Sequence, residues 1–178
     1  MTSFIKRLYT ESFSEHKEKK ELRVFTRLGV MKVPNNLESP LILIATGIGI
    51  LRFKGLIEEI SESTIYVYYG CKDKNSILVH ELNELVKKKM IDTLELAISQ
   101  NVEYKKHVQD IIREHKEELY YIIKKKKGIV MVCTNFAAEK NIKEAFIDSF
   151  NGKESDPYKF FDEMKANKQY IKELWNIS

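Results

Sequence analysis

Two glycines one residue apart interrupt an apolar run and stand directly before a helix-like pattern. The run Leu41–Ala45 is followed by Thr46, Gly47 and Gly49, and apolar residues then recur at helical spacing. This order predicts a buried strand, a tight turn and a helix whose N-terminus faces outward. Free amides and the positive end of the helix dipole at such a turn can hold a pyrophosphate, and a glycine has no Cβ to block its approach. The turn is therefore a candidate phosphate-binding site.

Other kinds of chemistry have no comparable pattern in the chain. No lysine follows the glycines as in a P-loop, and no Gly-x-Ser-x-Gly elbow predicts a serine nucleophile. The four histidines are dispersed, and the two cysteines, Cys71 and Cys133, have neither pairing nor metal-ligand spacing. The sequence predicts no metal site, and reduced cysteines favour a cytoplasmic protein.

Length and composition are those of one globular domain, alone or with an arm. The chain has 178 residues, of which 43% are hydrophobic and 31% charged. No apolar stretch approaches the ~18 residues of a membrane span, and no signal-peptide core follows the first basic residues. The basic run Lys124–Lys127 precedes Gly128, and we interpret the two as the charged last turn and left-handed cap of a helix. Neither a membrane nor a nucleic acid is predicted as a partner.

Strand-like and helix-like segments alternate along most of the chain, as in a parallel sheet with helices on both faces. Strands are predicted at Leu41–Ala45, Ile65–Tyr69, Thr93–Ile98, Ile129–Cys133 and Tyr170–Trp175. Helices are predicted at Leu51–Ser61, Ser76–Lys89, Lys105–Lys126, Ala137–Phe150 and Pro157–Asn167. The predicted fold class is therefore α/β with a five-stranded parallel sheet.

The first residues depart from this alternation. They contain one strand-like run, Leu22–Arg27, after the highly charged segment Glu15–Glu21. Pro34 and Pro40 then bracket a loop into the α/β unit. We predict an N-terminal arm at 1–38, too short to be a domain, and one α/β domain at 39–178.

The glycine turn and several later segments, taken in order, are similar to the motifs of one family. Segment 46–55, TGIGILRFKG, resembles G-P-G-T-G-I-A-P-F-R-G, with Ile48 in place of the threonine and Arg52 in place of the proline. Segment 69–72, YGCK, resembles F-G-C-R. Both motifs belong to the NADPH-binding half of the diflavin reductases, which include NADPH–cytochrome reductase, the sulfite reductase flavoprotein and the cytosolic iron–sulfur-assembly reductase. The resemblance extends over roughly residues 22–175.

A third similarity follows the third predicted strand. Segment 97–100, AISQ, with Lys105, His107 and Gln109 after it, resembles A-F-S-R followed by K-x-Y-x-Q. In the family these residues grip the adenosine 2′-phosphate. Ser99 and Lys105 are retained, whereas the arginine has become Gln100 and the tyrosine His107, so the resemblance implies NADPH with fewer charged donors than usual.

The last two similarities concern the reacting end of the nucleotide. Segment 130–135, VMVCTN, resembles I-Y-V-C-G-D, whose cysteine lies beside the nicotinamide C4 in the family; the equivalent is Cys133. Segment 170–175, YIKELW, resembles the terminal R-Y-x-x-D-V-W. Glu173 then occupies the place of the catalytic aspartate, and Trp175 that of the aromatic ring that stacks on the flavin.

The resemblance implies a Rossmann-like, ferredoxin reductase-like domain that presents NADPH for hydride transfer to FAD. The implied cofactor-binding residues are Thr46, Gly47, Gly49, Lys72, Ser99, Lys105, His107, Gln109 and Asn135. The implied catalytic residues are Cys133, Glu173 and Trp175. Such a chain would be an NADPH-dependent flavoprotein oxidoreductase engaged in electron transfer.

The contacts to FAD are the part of the family pattern with least support. The family places an FMN domain and an FAD-binding barrel ahead of this unit, and here only segment 7–10, RLYT, resembles its FAD-gripping R-x-Y-S/T. The arm would then be a remnant of the barrel, and FAD would bind weakly or with a flavin-binding or electron-acceptor protein as partner. Two alternatives stay open: a degenerate, non-catalytic module of the same fold, favoured by Ile48, Gln100, Thr134 and Asn135, and an α/β protein that holds another phosphate ligand at the turn.

Overall fold

The computed structural model describes residues 38–60, 62–100 and 104–175. The predicted arm at 1–38, with the strand Leu22–Arg27 and the motif at 7–10, lies outside these residues except for Glu38. Within the described ranges, no helix is long and apolar enough to cross a membrane.

A five-stranded sheet forms the centre of the described region. Its strands are β1 (Leu41–Thr46), β2 (Ile65–Cys71), β3 (Thr93–Ile98), β4 (Ile129–Asn135) and β5 (Tyr170–Trp175). They lie in the order β3-β2-β1-β4-β5, and every neighbouring pair is parallel. The strand order reverses direction between β1 and β4, and sheets of this kind bind ligands in the crevice at the carboxyl ends of two such strands. The predicted α/β, Rossmann-like class is confirmed.

Six helices are described between and after the strands. They are α1 (Ile50–Glu59), α2 (Ile77–Lys87), α3 (Val108–Glu114), α4 (Lys116–Lys124), α5 (Phe136–Phe150) and α6 (Pro157–Ala166). A 3-10 turn, Gly47–Gly49, joins β1 to α1. The turn is therefore a strand–turn–helix junction, as the sequence predicts.

The central strands are buried along nearly their whole length. The five residues Leu41–Ala45 of β1 have no solvent-exposed surface, which explains why the strand is continuously apolar and does not alternate. On one face, Ile42, Tyr68 and Val132 pack into a cluster with buried residues of α3 to α6. A core on this scale holds the ends of β1, β4 and β5 in a fixed relation to one another.

The single helix predicted at Lys105–Lys126 is wrong, because the structure has two. The helical path breaks at His115, whose φ of −94° and ψ of 19° lie outside the α region. The His115 ring lies edge-on to the Tyr68 ring, with the centroids 5.9 Å apart. His115 thus contacts a strand of the sheet at the point where the two helices meet, a tertiary contact that periodicity does not contain.

The left-handed cap predicted at Gly128 is also wrong, because Lys127 takes that conformation with a φ of +56°. Gly128 is needed for another reason: a Cβ there would lie 2.6 Å from Ile122 Cγ2 and 3.1 Å from the Ile122 carbonyl oxygen. The glycine therefore permits close contact with the last turn of α4. Lys124 does lie in that last turn, as the sequence predicts.

Candidate functional site

The two glycines of the turn are required for different structural reasons. Gly47 has a φ of +53°, and a Cβ there would meet no described atom within 4 Å. Gly49 is buried, and a Cβ there would lie 2.2 Å from the Cys133 carbonyl oxygen. Gly49 therefore lets the turn pack against the backbone of β4, a requirement of the fold that the phosphate argument did not anticipate. Gly47 leaves open space at the surface of the turn.

The structure brings the three predicted catalytic residues, Cys133, Glu173 and Trp175, to one corner of the sheet. Together with Gly49 they form what we call the reactive corner. Cys133 on β4 is the register partner of Glu173 on β5, and Asn135 is the partner of Trp175. The packing of Gly49 on Cys133 adds the start of α1. These residues are distant in sequence, so only the parallel pairing assembles them.

Glu173 is held in an ion pair that the sequence did not predict. Nη2 of Arg52, in the first turn of α1, lies 3.2 Å from Oε2 of Glu173. The side chains keep 39% and 32% of their surface exposed, so the pair stands at the rim of the crevice. Oε2 is itself buried and has no hydrogen-bond partner among the described residues. The contact is electrostatic, and the oxygen keeps the capacity to accept a hydrogen bond.

Trp175 also has an unpartnered polar atom at this corner. Its indole Nε1 is buried and has no hydrogen-bond acceptor among the described residues. Buried donors and acceptors are normally paired, since leaving one unpaired costs about 1–3 kcal/mol. Glu173 and Trp175, two residues apart on β5, thus each have a buried polar atom without a hydrogen-bond partner among the described residues.

The Cys133 thiol is held in its protonated form. Burial is the main cause that raises its pKa to about 11; the nearby Glu173 carboxylate acts in the same direction and Arg52 in the opposite one. The thiol is therefore neutral at physiological pH and is a poor nucleophile. It can contribute a polarizable neutral group, not a thiolate.

Thr46 joins the ends of β1 and β4. Its hydroxyl is hydrogen-bonded to that of Thr134, which is completely buried. Thr134 does not lie in the turn after β4, because the strand continues to Asn135. Thr134 instead forms part of the floor on which the glycine turn rests.

Asn135 has a clear local role. Its Oδ1 accepts a hydrogen bond of 2.9 Å from the Ala138 amide, so it caps the N-terminus of α5. The side-chain NH₂ group is not used in this cap. Its predicted contact with the nucleotide therefore remains a prediction that rests on that group.

A second group of predicted residues lies at the ends of β2 and β3, which we call the phosphate corner: Lys72, Ser99, Lys105, His107 and Gln109. The Ser99 amide donates to the Cys71 carbonyl oxygen at 2.9 Å, and the Lys106 amide donates to that of Ile98 at 3.1 Å. The chain thus returns beside β3 just after Lys105. Gly70 assists, since a Cβ there would lie 2.8 Å from Val108 Cγ2, at the start of α3.

The donors at this corner are unequal. Lys72 and Lys105 are both exposed. The Ser99 hydroxyl donates to the Cys71 carbonyl oxygen at 3.2 Å. A phosphate offers only acceptors, so Ser99 must give up this bond before it can donate to one. The lysines are therefore the principal donors.

His107 and Gln109 belong to the N-terminus of α3. The exposed His107 is the N-cap residue, and its amide donates to the Asp110 carboxylate at 2.9 Å. Gln109 is half-buried in the first turn. The Asp110 charge opposes a phosphate here, while Arg113, 3.9 Å from that carboxylate, partly compensates it.

Arg52 is the residue of this site that sequence reasoning missed as functional. A signal for it was present, because a cation in the first turn of a helix opposes the helix dipole. α1 has no acidic residue in that turn to compensate it. Such a placement indicates an anionic partner elsewhere in the fold, which is Glu173.

Comparisons with known proteins agree with the motifs. No family model matches the chain. It is 27% identical to NADPH–cytochrome P450 reductase of Drosophila melanogaster, over 89% of this chain and 26% of the relative. It is 26% identical to the sulfite reductase [NADPH] flavoprotein alpha-component of Buchnera aphidicola, over 81% of this chain and 26% of the relative. It is also 26% identical to NADPH-dependent diflavin oxidoreductase 1 of Schizosaccharomyces pombe, over 83% of this chain and 27% of the relative.

The chain spans about a quarter of the length of these relatives. The fold and the order of motifs agree with the similarity over most of the chain. The resemblance found in the sequence is therefore confirmed: this protein is a divergent relative of the diflavin reductases.

Proposed function

We propose that this protein is the NADPH-binding module of a flavin-dependent oxidoreductase and presents NADPH for hydride transfer to FAD. One observation carries the proposal. The glycine turn packs against Cys133, the register partner of Glu173, beside two buried polar atoms that have no hydrogen-bond partner among the described residues, Glu173 Oε2 and Trp175 Nε1. Glu173 Oε2 can accept a hydrogen bond from the amide of a nicotinamide, and no hydrogen bond of the indole among the described residues opposes the displacement of Trp175.

The remaining residues fit a dinucleotide that lies along the carboxyl edge. Gly47 and the amides of the turn hold the pyrophosphate, with Thr46 beneath them. Lys72 and Lys105 bind the 2′-phosphate, with Ser99 after it releases the Cys71 carbonyl. His107 and Gln109 border the adenine end, and Asn135 contributes its NH₂ group near the turn. Residues 39–178 form this domain, and the arm at 1–38 is a remnant of an FAD-binding barrel.

NADPH, when bound, supplies a hydride from its nicotinamide C4. Cys133 keeps its thiol proton at neutral pH and provides a compact neutral wall beside that atom. The Glu173 carboxylate supplies negative charge where positive charge develops as the hydride leaves. Trp175 covers the place of the flavin ring until the nicotinamide displaces it.

The flavin requires a second wall from outside the described residues. Ile48 and Phe136 follow the neighbouring strands β1 and β4, and 65% and 57% of their respective surfaces are exposed. Two exposed apolar side chains at one sheet edge favour a protein partner there. We infer a flavin-binding or electron-acceptor protein or domain, with FAD bound weakly in its absence.

A non-catalytic module is the second candidate, favoured by two specific observations. Ile48 offers no hydroxyl at the turn, and it points to solvent with most of its surface exposed. Arg52 compensates the carboxylate on which charge stabilisation depends. Such a protein binds NADP(H) and does not transfer hydride.

The test uses the only tryptophan of the chain. Titration with NADP⁺ should quench Trp175 fluorescence, whereas NAD⁺ at equal concentration should not. Trp175→Phe provides the matched blank, and calorimetric titration with NADPH, NADH and FAD, separately and together, gives the affinities. Absence of nucleotide binding at millimolar concentration would refute the proposal.

Hydride transfer separates the two candidates. Oxidation of NADPH by added FAD, followed as loss of absorbance of the reduced nicotinamide, supports the oxidoreductase. Tight NADP(H) binding without this reaction, even with a flavin-saturated reductase barrel added in trans, supports the non-catalytic module.

A further inference from the structure

A cation stands at the reactive corner where the family motif has a proline. Arg52 opposes the dipole of its own helix, whose first turn has no acidic residue. Its Nη2 reaches 3.2 Å from Glu173 Oε2 on β5. Glu173 is in turn the register partner of Cys133, whose backbone contacts the glycine turn that begins α1. The ion pair therefore links α1 to β5 across the end of β4.

We propose that Arg52 is a positioning residue of the nucleotide site: it holds the Glu173 carboxylate toward the start of α1 and compensates its charge beside Cys133. This inference rests on the proposed function. A nicotinamide ring is positively charged when oxidised and neutral when reduced, so the local charge decides which form the corner prefers.

The expected consequence is discrimination between the two redox forms. A lone carboxylate attracts the oxidised ring, and a carboxylate paired with a guanidinium attracts it much less. The pair is partly exposed, so its effect is modest, a factor of about three in affinity. Arg52 therefore lowers the affinity for NADP⁺ relative to NADPH and favours release of the oxidised product.

The electrostatic part is tested without nucleotide. Alkylation of Cys133 is measured with anionic iodoacetate and with neutral iodoacetamide, in a Cys71→Ala background. The ratio of the two rates reports the local charge, because thiolate fraction and steric access affect both reagents alike. Arg52→Gln should lower the iodoacetate-to-iodoacetamide ratio about threefold, whereas Arg52→Lys, which keeps the charge, should leave it nearly unchanged. Glu173→Gln should raise the ratio.

Arg113→Gln is the matched control. Arg113 is an ion-paired arginine of similar exposure, 43%, with its Nε 3.0 Å from Asp148 on the other face of the sheet. Arg113→Gln should leave the iodoacetate-to-iodoacetamide ratio unchanged. Circular dichroism checks that each variant is folded. An unchanged ratio in Arg52→Gln would overturn charge compensation, whether or not nucleotide binds.

The nucleotide part uses calorimetry on the same variants. Arg52→Gln should shift the ratio of the NADP⁺ and NADPH dissociation constants about threefold toward NADP⁺. A lowered reagent ratio with an unchanged nucleotide preference would overturn the role in discrimination. Failure of the unmodified chain to bind either nucleotide would refute the proposed function instead, and the reagent ratio would still decide whether Arg52 compensates Glu173.

Discussion

The two ends of the parallel strands, which we call the amino edge and the carboxyl edge of the sheet, are built differently. At the amino edge, where helices end and strands begin, side chains serve the fold. Lys89, Lys127 and Lys168 take left-handed conformations with φ between 56° and 58°. Gln169 Nε2 donates to the carbonyl oxygens of Ile123 at 2.7 Å and Gly128 at 2.9 Å, and so ties two loops together.

The carboxyl edge departs from what the fold alone favours. It has a cation in the first turn of α1, two buried polar atoms without a described hydrogen-bond partner, and two exposed apolar side chains, Ile48 and Phe136. Each departure carries a free-energy cost, and such costs persist where a ligand or partner compensates them. The comparison indicates that substitutions at the carboxyl edge change binding, whereas those at the amino edge change only stability.

The largest expected effect comes from Gly49→Ala, which tests the turn as part of the fold. The added Cβ would lie 2.2 Å from the Cys133 carbonyl oxygen and 3.0 Å from its carbonyl carbon, so the backbone must shift. We expect a loss of about 3 kcal/mol in the free energy of unfolding, measured with urea, together with weaker nucleotide binding. Gly55→Ala is the control, because a Cβ there meets no described atom within 4 Å. It should stabilise α1 by about 0.5–1 kcal/mol. Equal stability of the two variants would contradict the packing argument.

The next effect separates the phosphate corner from the other edge. Lys105→Ala should weaken NADPH binding about tenfold, since a charge-assisted hydrogen bond contributes about 1.5–3 kcal/mol. NADH, which lacks the 2′-phosphate, should bind unchanged. Lys125→Ala, at the amino edge, is the matched lysine control and should affect neither nucleotide. Equal losses for NADPH and NADH in Lys105→Ala would rule out a 2′-phosphate contact.

A smaller effect concerns the pH dependence of stability at the reactive corner. Burial raises the pKa of the Cys133 thiol from its ordinary value of 9.0 to about 11. Between pH 9 and pH 11 the thiol has lost its proton in the unfolded chain and keeps it in the folded chain. The contribution of this thiol to stability is therefore fully present below pH 9 and declines as the pH rises. Urea unfolding at pH 8, 9 and 10 should show this decline, and Cys133→Ala should reduce it. If Cys133→Ala showed the same decline of stability with pH, the Cys133 thiol would not be the group that causes it.

The sequence predicted the fold well because burial dominates it. The continuous apolar run of β1 and the strands at Thr93–Ile98 and Tyr170–Trp175 have the predicted bounds or differ by one residue. Parallel pairing of these strands then brings Cys133 beside Glu173 without further information. Element type and order depend on local patterns, which a single sequence contains.

What the sequence could not predict depends on contacts between distant elements. The break at His115 coincides with a ring contact to Tyr68, the Arg52–Glu173 pair joins α1 to β5, and the Thr46–Thr134 bond joins the ends of β1 and β4. Apart from the unfavourable place of Arg52 in the first turn of α1, none leaves a local pattern that distinguishes it from a surface residue. The contacts to nucleotide and flavin stay predictions for the same reason, since a ligand is a distant partner too.

The smallest expected effect concerns the amino edge, where the left-handed cap after α4 was predicted at Gly128 and lies one residue earlier, at Lys127. Lys127 adopts a left-handed φ of +56°, which a side chain disfavours and glycine does not. Lys127→Gly should therefore raise the free energy of unfolding by about 0.5 kcal/mol, measured by urea denaturation, and leave NADPH affinity unchanged. Lys125→Gly is the control: Lys125 has the helical values φ −93° and ψ −41°, so glycine there should destabilise. If Lys127→Gly altered nucleotide affinity, the two edges would not be independent, and the division between a binding edge and a structural edge would fail.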